Sequence, residues 1–460
     1  MRKKDSITTI LLLTIITLSV FFPYISSFLP KTQPEQGVQR VILISIDSCN
    51  PEYISPQWMP NLYSRILRDG IKYKVANSVF AAETQSGHTS MLTGAFPSHT
   101  GISGNGLYFP VAWDDPSTPG VDYPAGTSIP TFIDPRLILA DTIYEQFMNN
   151  GSIKTAFIAG KWRLSPMLSG GANLAFGNPK NGTVLVPEDY LPKVGAPLTY
   201  AEGDIIDSWS MNCLIEVMKN DPDIDFTFIN LAYLDDLGHG YGGYNDLIYA
   251  HLRELDNLFL RLFNDMEERG IYDSTLFVIT ADHGMDTVEF VLNIHEIVEN
   301  SVNPHIDAHV FAEGQSAHLF LDNDSQLPDA IALFEGHEGI DLIIPWNNTG
   351  LPGYSNYSDY NLFPYVNRSG HLMVSVKTHG AVYTNPEFPF SLFGMHGGMS
   401  TVDVPMAIFC NNLNFDPALT FHEIIHTVPK TIDIMPTIAS IMNWSLDQMT
   451  LDGQVLDILA

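Results

Sequence analysis

A run of apolar residues from Arg40 to Ile46, RVILISI, ends at the carboxylate of Asp47. A continuous apolar run of this length is typical of a strand that is buried on both faces, as in a parallel sheet covered by helices. Similar runs, KTAFIAG, DFTFINLAYL and STLFVITA, alternate with helical patterns such as MPNLYSRILRDG and the stretch from about Asp246 to Gly270. This alternation predicts an α/β fold with a mostly parallel sheet and helices on both faces.

Residues 286–395 interrupt this alternation. Short β-like pieces, AHLFLD and HLMVSVK, are separated there by polar segments rich in turn-forming residues. We therefore predict a smaller α+β cap at 286–395, inserted into a catalytic domain formed by residues 38–285 and 396–460. A chain of 460 residues with 45% hydrophobic content is long enough for a large core of this kind.

The N-terminus carries the pattern of an export signal. Arg2, Lys3 and Lys4 precede a stretch from Ser6 to Pro30 without a charged residue, long enough for a signal peptide and marginally long enough to span a bilayer. Only a weak cleavage motif, YISSF, follows, so the sequence favours one uncleaved anchor at residues 1–30 with its positive end in the cytoplasm. Removal of residues 1–30 as a signal peptide, and secretion, is the alternative. In both cases the rest of the chain lies outside the cytoplasm.

The cysteine count bears on stability, and the glycosylation sequons fit an exported glycoprotein. Three cysteines, Cys49, Cys213 and Cys410, are too few for a disulfide framework, so the core must hold the fold. Asn-x-Ser/Thr glycosylation sequons occur at Asn150, Asn181, Asn323, Asn347, Asn356, Asn367 and Asn443.

The charge of the chain restricts its ligands. Lys and Arg together number 22 and Asp and Glu 52, which gives a formal net charge of −30. This charge opposes the phosphate attraction on which nucleic-acid binding depends, so a nucleic-acid polymer is a poor substrate. A small anionic ligand would need local positive charge, which bound metal ions can supply.

Polar side chains follow each predicted strand at its carboxyl end. They are Asp47 after the first strand, Thr84 and His88 after VANSVF, Lys161 and Arg163 after KTAFIAG, Asp235 and His239 after FTFINLAYL, and Asp282 and His283 after TLFVITA. Since ligands of open α/β sheets bind beyond the carboxyl ends of the strands, we expect these side chains to lie together at one edge.

The side chains in this set are metal ligands by type. Three carboxylates and three imidazoles are available from Asp47, Asp235, His239, Asp282, His283 and His396. Oxygen and nitrogen ligands of this kind suit zinc, other divalent metals being alternatives, and six ligands serve two ions with open positions for catalysis. Thr84 would then be a nucleophile activated by coordination. Each motif taken alone, such as DHG or MHGG, is more typical of a turn or a helix cap, and the metal-site prediction rests on their occurrence together, each after a strand.

The segments VILISID, T-x3-H with LTGAFPSHTGI, LDDLGH, TADHGM and GMHGG together resemble the motif set of the alkaline phosphatase superfamily. They are most similar to those of its type I phosphodiesterase/nucleotide pyrophosphatase family, and the match runs from about Arg40 to Asn443. The resemblance implies two zinc ions, one held by Asp47, Thr84, Asp282 and His283 and the other by Asp235, His239 and His396. It also implies that Asn105 donates a hydrogen bond to a phosphoryl oxygen.

The resemblance implies a two-step displacement. Thr84 attacks phosphorus, and water then hydrolyses the phospho-threonine intermediate. His88 and His99 are interpreted as structural. The sequence departs from many relatives at Ser48, where glycine is common, and at Ser86, where proline is common.

The class of ester depends on Lys161 and Arg163. This pair resembles the Lys-x-Arg of the threonine-nucleophile alkaline phosphatases and differs from the nucleotide pyrophosphatases, so it slightly favours a small phosphomonoester as substrate. Ordinary surface cations are the alternative reading of these two residues. A phosphodiesterase/nucleotide pyrophosphatase is the alternative function. A phosphonate hydrolase, a phospho-group transferase and an inactive surface binding protein remain further alternatives.

Overall fold

The computed structural model describes residues 37–111, 113–114, 122–130, 134–148, 151–177, 185–196, 205–302, 304–347, 354–364, 366–383 and 393–460. Residues Val38–Ala460 form one compact unit. The predicted anchor at residues 1–30 and the sequons at Asn150 and Asn181 lie outside the described residues. Within the described ranges, no helix combines the length and the hydrophobicity that crossing a bilayer requires.

The strands of the two larger sheets are, in chain order, β1 (Arg40–Ile46), β2 (Gly70–Asn77), β3 (Thr155–Ala159), β4 (Leu174–Gly177), β5 (Phe226–Leu231), β6 (Thr275–Thr280), β7 (Ala308–Glu313), β8 (Ser316–Leu321), β9 (Ile340–Pro345), β10 (Leu372–Val376), β11 (Asp403–Phe409) and β12 (Glu423–Ile424). Two-stranded pairings join Gly106–Phe109 to Thr127–Pro130, Trp113–Asp114 to Asp122–Tyr123, Phe290–Asn293 to Gly380–Tyr383, and Asp286–Thr287 to Gly394–Met395.

The longer helices are α1 (Pro60–Asp69), α2 (Thr84–Thr93), α3 (Ile143–Met148), α4 (Leu164–Leu168), α5 (Ile205–Asn220), α6 (Tyr233–Tyr241), α7 (Asp246–Glu268), α8 (Ile294–Glu299), α9 (Leu327–Phe334) and α10 (Ile434–Met442). One-turn helices lie at Pro97–Thr100, Leu191–Val194 and Val366–Ser369. In α7, Asn245 caps the N-terminus by accepting hydrogen bonds from the amides of Leu247 and Ile248, and one face of the helix is buried.

The central sheet has eight strands in the order β12-β2-β11-β6-β1-β5-β3-β4. Strands β1, β5 and β6 are buried along their whole length, which is why they are continuous apolar runs in the sequence. Pairing is parallel throughout except at β11, which is antiparallel to both of its neighbours. The predicted α/β architecture is confirmed.

The reversed strand β11 determines which parts of the chain meet. The carboxyl ends of β1, β2, β3, β5 and β6 all lie at one edge of the sheet. Because β11 runs the other way, its amino end lies at that same edge. His396, which precedes β11, therefore joins side chains that follow the parallel strands.

A second, four-stranded sheet has the order β7-β8-β10-β9 and is antiparallel throughout. It has its own hydrophobic cluster, which includes Val310, Leu319, Phe334 and Val374. This is the smaller α+β cap that the sequence predicts. Its boundaries at 286 and 395 stay a prediction, as do those of the catalytic domain.

Candidate active site

One group of candidate metal ligands is built on helix α6. Asp235 and His239 are separated by one helical turn, and their side chains lie on one face, with His239 Nε2 3.5 Å from Asp235 Oδ1. His396 Nε2 lies 3.7 Å from the same oxygen. One ligand atom from each residue falls within 4.8 Å of those of the other two. The glycine-rich sequence LGHGYGG is typical of a turn, so it does not predict the helix on which Asp235 and His239 lie.

The second ring nitrogens of these histidines are engaged by backbone carbonyls. His239 Nδ1 lies 3.0 Å from the oxygen of Gly394, and His396 Nδ1 lies 3.1 Å from that of Ala82. Burial lowers the pKa of His239 and, together with the charge of His283, holds the pKa of His396 well below its usual range. Both imidazoles therefore stay neutral and present Nε2, the form that binds a metal.

A second group surrounds His283, whose Nδ1 lies 2.9 Å from the carbonyl oxygen of Gly284. Its Nε2 lies 3.1 Å from Asp282 Oδ2, 3.2 Å from Thr84 Oγ1 and 3.8 Å from Asp47 Oδ1. Ligand atoms of Asp47, Asp235 and His283 also fall within 4.8 Å of one another, so the two groups are adjacent. The structure thus brings together all seven residues that the sequence predicts as metal ligands.

The donor set fits divalent cations. Asp47, Asp235 and Asp282 are at most 1% exposed, although a buried carboxylate is costly unless a positive charge compensates it. Burial, followed by the charge of Asp282, raises the pKa of Asp47 to about 7. Clustered oxygen and imidazole donors with this need for positive charge are what a catalytic divalent-metal site requires.

Thr84 is the first residue of helix α2, and the surrounding hydrogen bonds fix its position. The Ser86 hydroxyl donates to the carbonyl oxygen of Ala81 at 2.6 Å, so a serine at the position where proline is common still defines the turn. His88 Nδ1 lies 2.8 Å from the carbonyl oxygen of Thr84 and 3.2 Å from Asp282 Oδ2, and its Nε2 lies 2.9 Å from Ser45 Oγ. His88 therefore supports the loop that carries Thr84.

The two histidines interpreted as structural lie in different places. Ligand atoms of His88, Asp47 and Asp282 fall within 4.8 Å of one another, so His88 also meets the geometric requirement for a metal ligand. His99 is half-exposed and pairs with Asp452 at 2.8 Å.

Lys161 is buried between the carboxylates of Asp47 and Asp235. Its Nζ lies 3.2 Å from Asp47 Oδ1 and also forms an ion pair with Asp235 Oδ2. The backbone amide of Lys161 donates to Asn230 Oδ1 at 3.0 Å, and Asn230 Nδ2 donates to Asp47 Oδ2 at 3.1 Å. Lys161 is 3% exposed and is therefore not an ordinary surface cation.

Arg163 is partly buried, with its guanidinium carbon 5.3 Å from the centre of the Trp162 ring. Its charge lowers the pKa of two carboxyl groups, Glu83 and Glu313, against the larger effect of burial. Burial raises the pKa of Glu83 to about 8, and burial and the charge of Glu83 raise that of Glu313. Neither glutamate belongs to the motifs that predict the site from sequence.

Asn105 lies between these two glutamates. Its Nδ2 donates to Glu83 Oε2 at 2.6 Å, and its backbone amide donates to Glu313 Oε2 at 3.0 Å. Its Oδ1 accepts from the amide of Gln85 at 3.0 Å, next to Thr84. Glu83 could have been singled out from the sequence, because it directly precedes Thr84 in a segment, residues 75–106, that contains no other Asp, Glu, Lys or Arg. Glu313 had no such signal because it belongs to the second sheet.

Comparison with known proteins identifies the family of the chain. Residues 41–399 match the family model of type I phosphodiesterase/nucleotide pyrophosphatase. A curated relative, ectonucleotide pyrophosphatase/phosphodiesterase 2 of Saccharomyces cerevisiae, is 24% identical over 61% of this chain and 56% of its own length. The alkaline phosphatase PhoD of Zymomonas mobilis is 23% identical over 92% of this chain and 89% of its own. The chain thus spans about half the length of the yeast relative.

Solved structures share the fold. Human ectonucleotide pyrophosphatase/phosphodiesterase 5 superposes with a TM-score of 0.67 at 15% identity, covering 90% of this chain and 97% of that one. The phosphonoacetate hydrolase of Sinorhizobium meliloti in complex with phosphonoformate gives 0.67 at 18% identity, with coverages of 89% and 96%. Because the family model spans most of the sequence, the chain belongs to the type I phosphodiesterase/nucleotide pyrophosphatase family.

Proposed function

We propose that this protein is a divalent-metal-dependent phosphodiesterase that hydrolyses small phosphate diesters or pyrophosphates through Thr84. This proposal replaces the slight preference for phosphomonoesters that Lys161 and Arg163 suggested from sequence. The observation that carries it is the pairing of the Lys161 ammonium group with two buried carboxylates.

Lys161 already has two anionic partners. Its ammonium group contacts Asp47 and Asp235, both nearly inaccessible to solvent. Extra cations favour a phosphomonoester only when they can face its second negative charge. A lysine paired in this way balances the charge of the metal-ligand cluster rather than that of the substrate.

Arg163 does not by itself decide the substrate class. Glu83 and Glu313 interact electrostatically with its guanidinium group, but burial raises the pKa of both carboxyl groups, that of Glu83 to about 8. Both are therefore mainly protonated near neutral pH and add little negative charge beside Asn105, where a phosphoryl oxygen would bind. The preference for a diester thus rests on the pairing of Lys161 and on the family match.

Two divalent ions, zinc by the nature of the ligands, complete the proposed site. Asp47, Thr84, Asp282 and His283 would hold one, and Asp235, His239 and His396 the other. When bound, such ions supply Lewis acidity, which lowers the pKa of a coordinated hydroxyl or water and offsets charge on the leaving oxygen.

The residues of the chain act in two steps. The Thr84 oxygen attacks phosphorus as the bond from phosphorus to the leaving oxygen breaks, and the Asn105 amide donates a hydrogen bond to a non-bridging oxygen. Water then attacks phosphorus, the bond to Thr84 breaks, and the phosphorylated product leaves. The positive end of the α2 helix dipole at Thr84 favours the anionic group in both steps.

A phosphomonoesterase is the second candidate. It is supported by the Zymomonas relative, which is named an alkaline phosphatase and aligns over 92% of this chain. Initial rates of the zinc-loaded protein on bis-p-nitrophenyl phosphate and p-nitrophenyl phosphate separate the two. We expect kcat/KM to be at least ~10-fold higher for the diester, and Thr84→Ala to remove at least ~10³-fold of the activity.

A higher kcat/KM for the monoester would overturn the proposed substrate class. Wild-type rates in Thr84→Ala would overturn the nucleophile. A protein that binds metal but hydrolyses neither ester would favour the inactive binding protein, and transfer of the phosphoryl group to an added alcohol in preference to water would favour a transferase.

We also propose that the enzyme acts outside the cytoplasm, anchored by residues 1–30. The charge pattern around Ser6–Pro30 supports this location, as do the relatives that are named ectonucleotide enzymes. A protease-accessibility assay on intact cells tests it, since cleavage of the chain only after lysis would contradict the proposal.

A further inference from the structure

Glu83 contacts three parts of the proposed catalytic machinery at once. It directly precedes Thr84, and its Oε2 accepts the 2.6 Å hydrogen bond from Asn105 Nδ2. The same oxygen lies 3.3 Å from His396 Nδ1. Its side chain also accepts from the amide of Ser86, and the Glu83 backbone amide donates to the Ser86 hydroxyl oxygen at 3.3 Å. No other contact described above links the nucleophile, the amide donor and a metal ligand.

These contacts fix the orientation of the Asn105 side chain. With Oδ1 held by the amide of Gln85 and Nδ2 held by Glu83, the amide plane can adopt only one of its two flipped orientations. An amide nitrogen has two hydrogens, so a bond to Glu83 directs the second away from the carboxylate. Glu83 thus sets the direction in which Asn105 donates.

The surroundings of Glu83 leave it little freedom to move. It is 3% exposed, and its Oε1 has no hydrogen-bond partner among the described residues. A Cβ atom at Gly314 would lie 2.4 Å from Oε1, and one at Gly397 2.2 Å from it. Both glycines also have positive φ, 57° and 103°, so side chains are excluded there on two grounds.

Glu313 holds the same loop from the second sheet. Its Oε2 accepts from the backbone amide of Asn105, and it lies at the end of strand β7. A Cβ atom at Gly104 would lie 2.2 Å from Oε2, which shows how closely the loop packs on this carboxylate. Asn105 is therefore held by its side chain from Glu83 and by its backbone from Glu313.

We infer that Glu83 is a positioning residue that aims the Asn105 amide at the phosphoryl group, while Glu313 of the cap holds the backbone of the same loop. This inference rests on the proposed function for the identity of the anion. It assigns to the carboxyl group beside the nucleophile a role in binding the anion that acts through Asn105, in addition to its contacts with His396 and Ser86.

The test is a double-mutant cycle with Glu83→Ala and Asn105→Ala, read by calorimetric binding of inorganic phosphate to the zinc-loaded protein. Phosphate is not consumed, so this measurement does not depend on turnover. We expect Asn105→Ala to weaken binding by ~10-fold or more, Glu83→Ala to weaken it comparably, and the double variant to be no weaker than Asn105→Ala alone. Glu83→Gln, which keeps an acceptor oxygen, should stay within ~3-fold of wild type. Glu268→Ala, an exposed position on α7, is the matched control.

Three results would overturn the inference: unchanged phosphate affinity in Glu83→Ala, losses that multiply in the double variant, or no phosphate binding by the wild type. If Glu83→Ala fails to fold, the pair Glu83→Gln and Glu83→Gln/Asn105→Ala gives the same comparison. Diester hydrolysis measured in parallel reports separately on the proposed function. Its absence beside a non-additive binding cycle would refute the activity and leave the role of Glu83 intact.

Discussion

The hydroxyl of Ser48 donates a 2.6 Å hydrogen bond to Asp235 Oδ1, in the candidate metal-ligand group that also contains His239 and His396. The backbone amide of Ser48 donates to Asp282 Oδ1 at 3.2 Å. Ser48 has a φ of 64°, a conformation that favours glycine. Ser48 thus adopts a strained backbone conformation, and it orients one carboxylate of each candidate metal-ligand group, Asp235 and Asp282.

Replacement of Ser48 should separate these two effects. Ser48→Gly removes the hydroxyl and relieves the strain, so we expect zinc affinity to fall by about 10-fold while the unfolding midpoint stays near that of wild type. Ser48→Ala keeps the strain and should be less stable than Ser48→Gly by about 1 kcal/mol. Zinc competition with a chromogenic chelator and thermal denaturation measure both. Wild-type zinc affinity in Ser48→Gly would show that the hydroxyl does not orient Asp235.

Removal of Arg163 tests whether its charge acts on the substrate. If its guanidinium group does not bind the phosphoryl group, Arg163→Met should lower kcat/KM for the diester and for the monoester by similar factors, within about 3-fold of each other. If Arg163 instead clamps a dianionic phosphate, the monoester rate should fall by at least ~10-fold more. The measurement is the ratio of the two kcat/KM values in wild type and variant.

Removal of divalent metal should destabilise the folded protein. Without bound cations, the buried carboxylates of Asp47, Asp235 and Asp282 repel one another, and an ion that binds only the folded state stabilises it by mass action. We expect a chelator to lower the Tm and added zinc to restore it. In Asp235→Asn the shift should be smaller, because one ligand charge is absent. Superimposable melting curves with and without chelator would contradict a metal site at these residues.

The pair formed by His251 and Asp207 should make stability depend on pH. Asp207 Oδ1 accepts from the amide of Ala232 at 2.6 Å, just before helix α6, and its Oδ2 lies 2.9 Å from His251 Nε2. Burial is the largest single effect and lowers the pKa of His251, but the hydrogen bonds and charges of Asp207 and Glu254 together outweigh it, and the net pKa lies above 6.5.

Protonated His251 therefore stabilises the fold fully below the unfolded pKa of 6.5, and this contribution is lost as pH rises through the folded pKa. We expect His251→Gln to lower the free energy of unfolding by about 1 kcal/mol near pH 5.5 and by less near pH 9. Chemical denaturation at the two values measures the difference, with the half-exposed His295→Gln as control. A loss that is equal at both pH values would show that the charge of His251 is not involved.

The candidate site residues at the carboxyl edge of the central sheet were predictable because each one is identified by its place in the local sequence. Asp47, Asp235 and Asp282 each follow an apolar run directly, and parallel strands bring such positions together whatever the detailed packing. His396 could be placed only through its motif, since its position depends on β11 running opposite to its neighbours.

The contacts made across the structure were not predictable from local pattern. Glu313 approaches Asn105 because the second sheet packs over the loop after α2, and nothing in the sequence around Glu313 distinguishes it from other acidic strand residues. The ionic partners of Lys161 were hidden for the same reason, and this led to the preference for monoesters. Charge can be read from sequence, whereas charge compensation depends on tertiary contacts.

The two ends of the predicted insertion pair with each other, because Asp286–Thr287 lies antiparallel to Gly394–Met395. His396 directly follows this two-stranded pairing. Its position is therefore set by the eight-stranded central sheet rather than by the segment between the two paired strands. Closing a longer loop adds only slowly to the entropic cost of folding. The segment between the paired residues can therefore gain or lose length in the course of evolution without a change in the geometry of the metal ligands. Such changes would alter the surface through which a substrate reaches the carboxyl edge of the sheet.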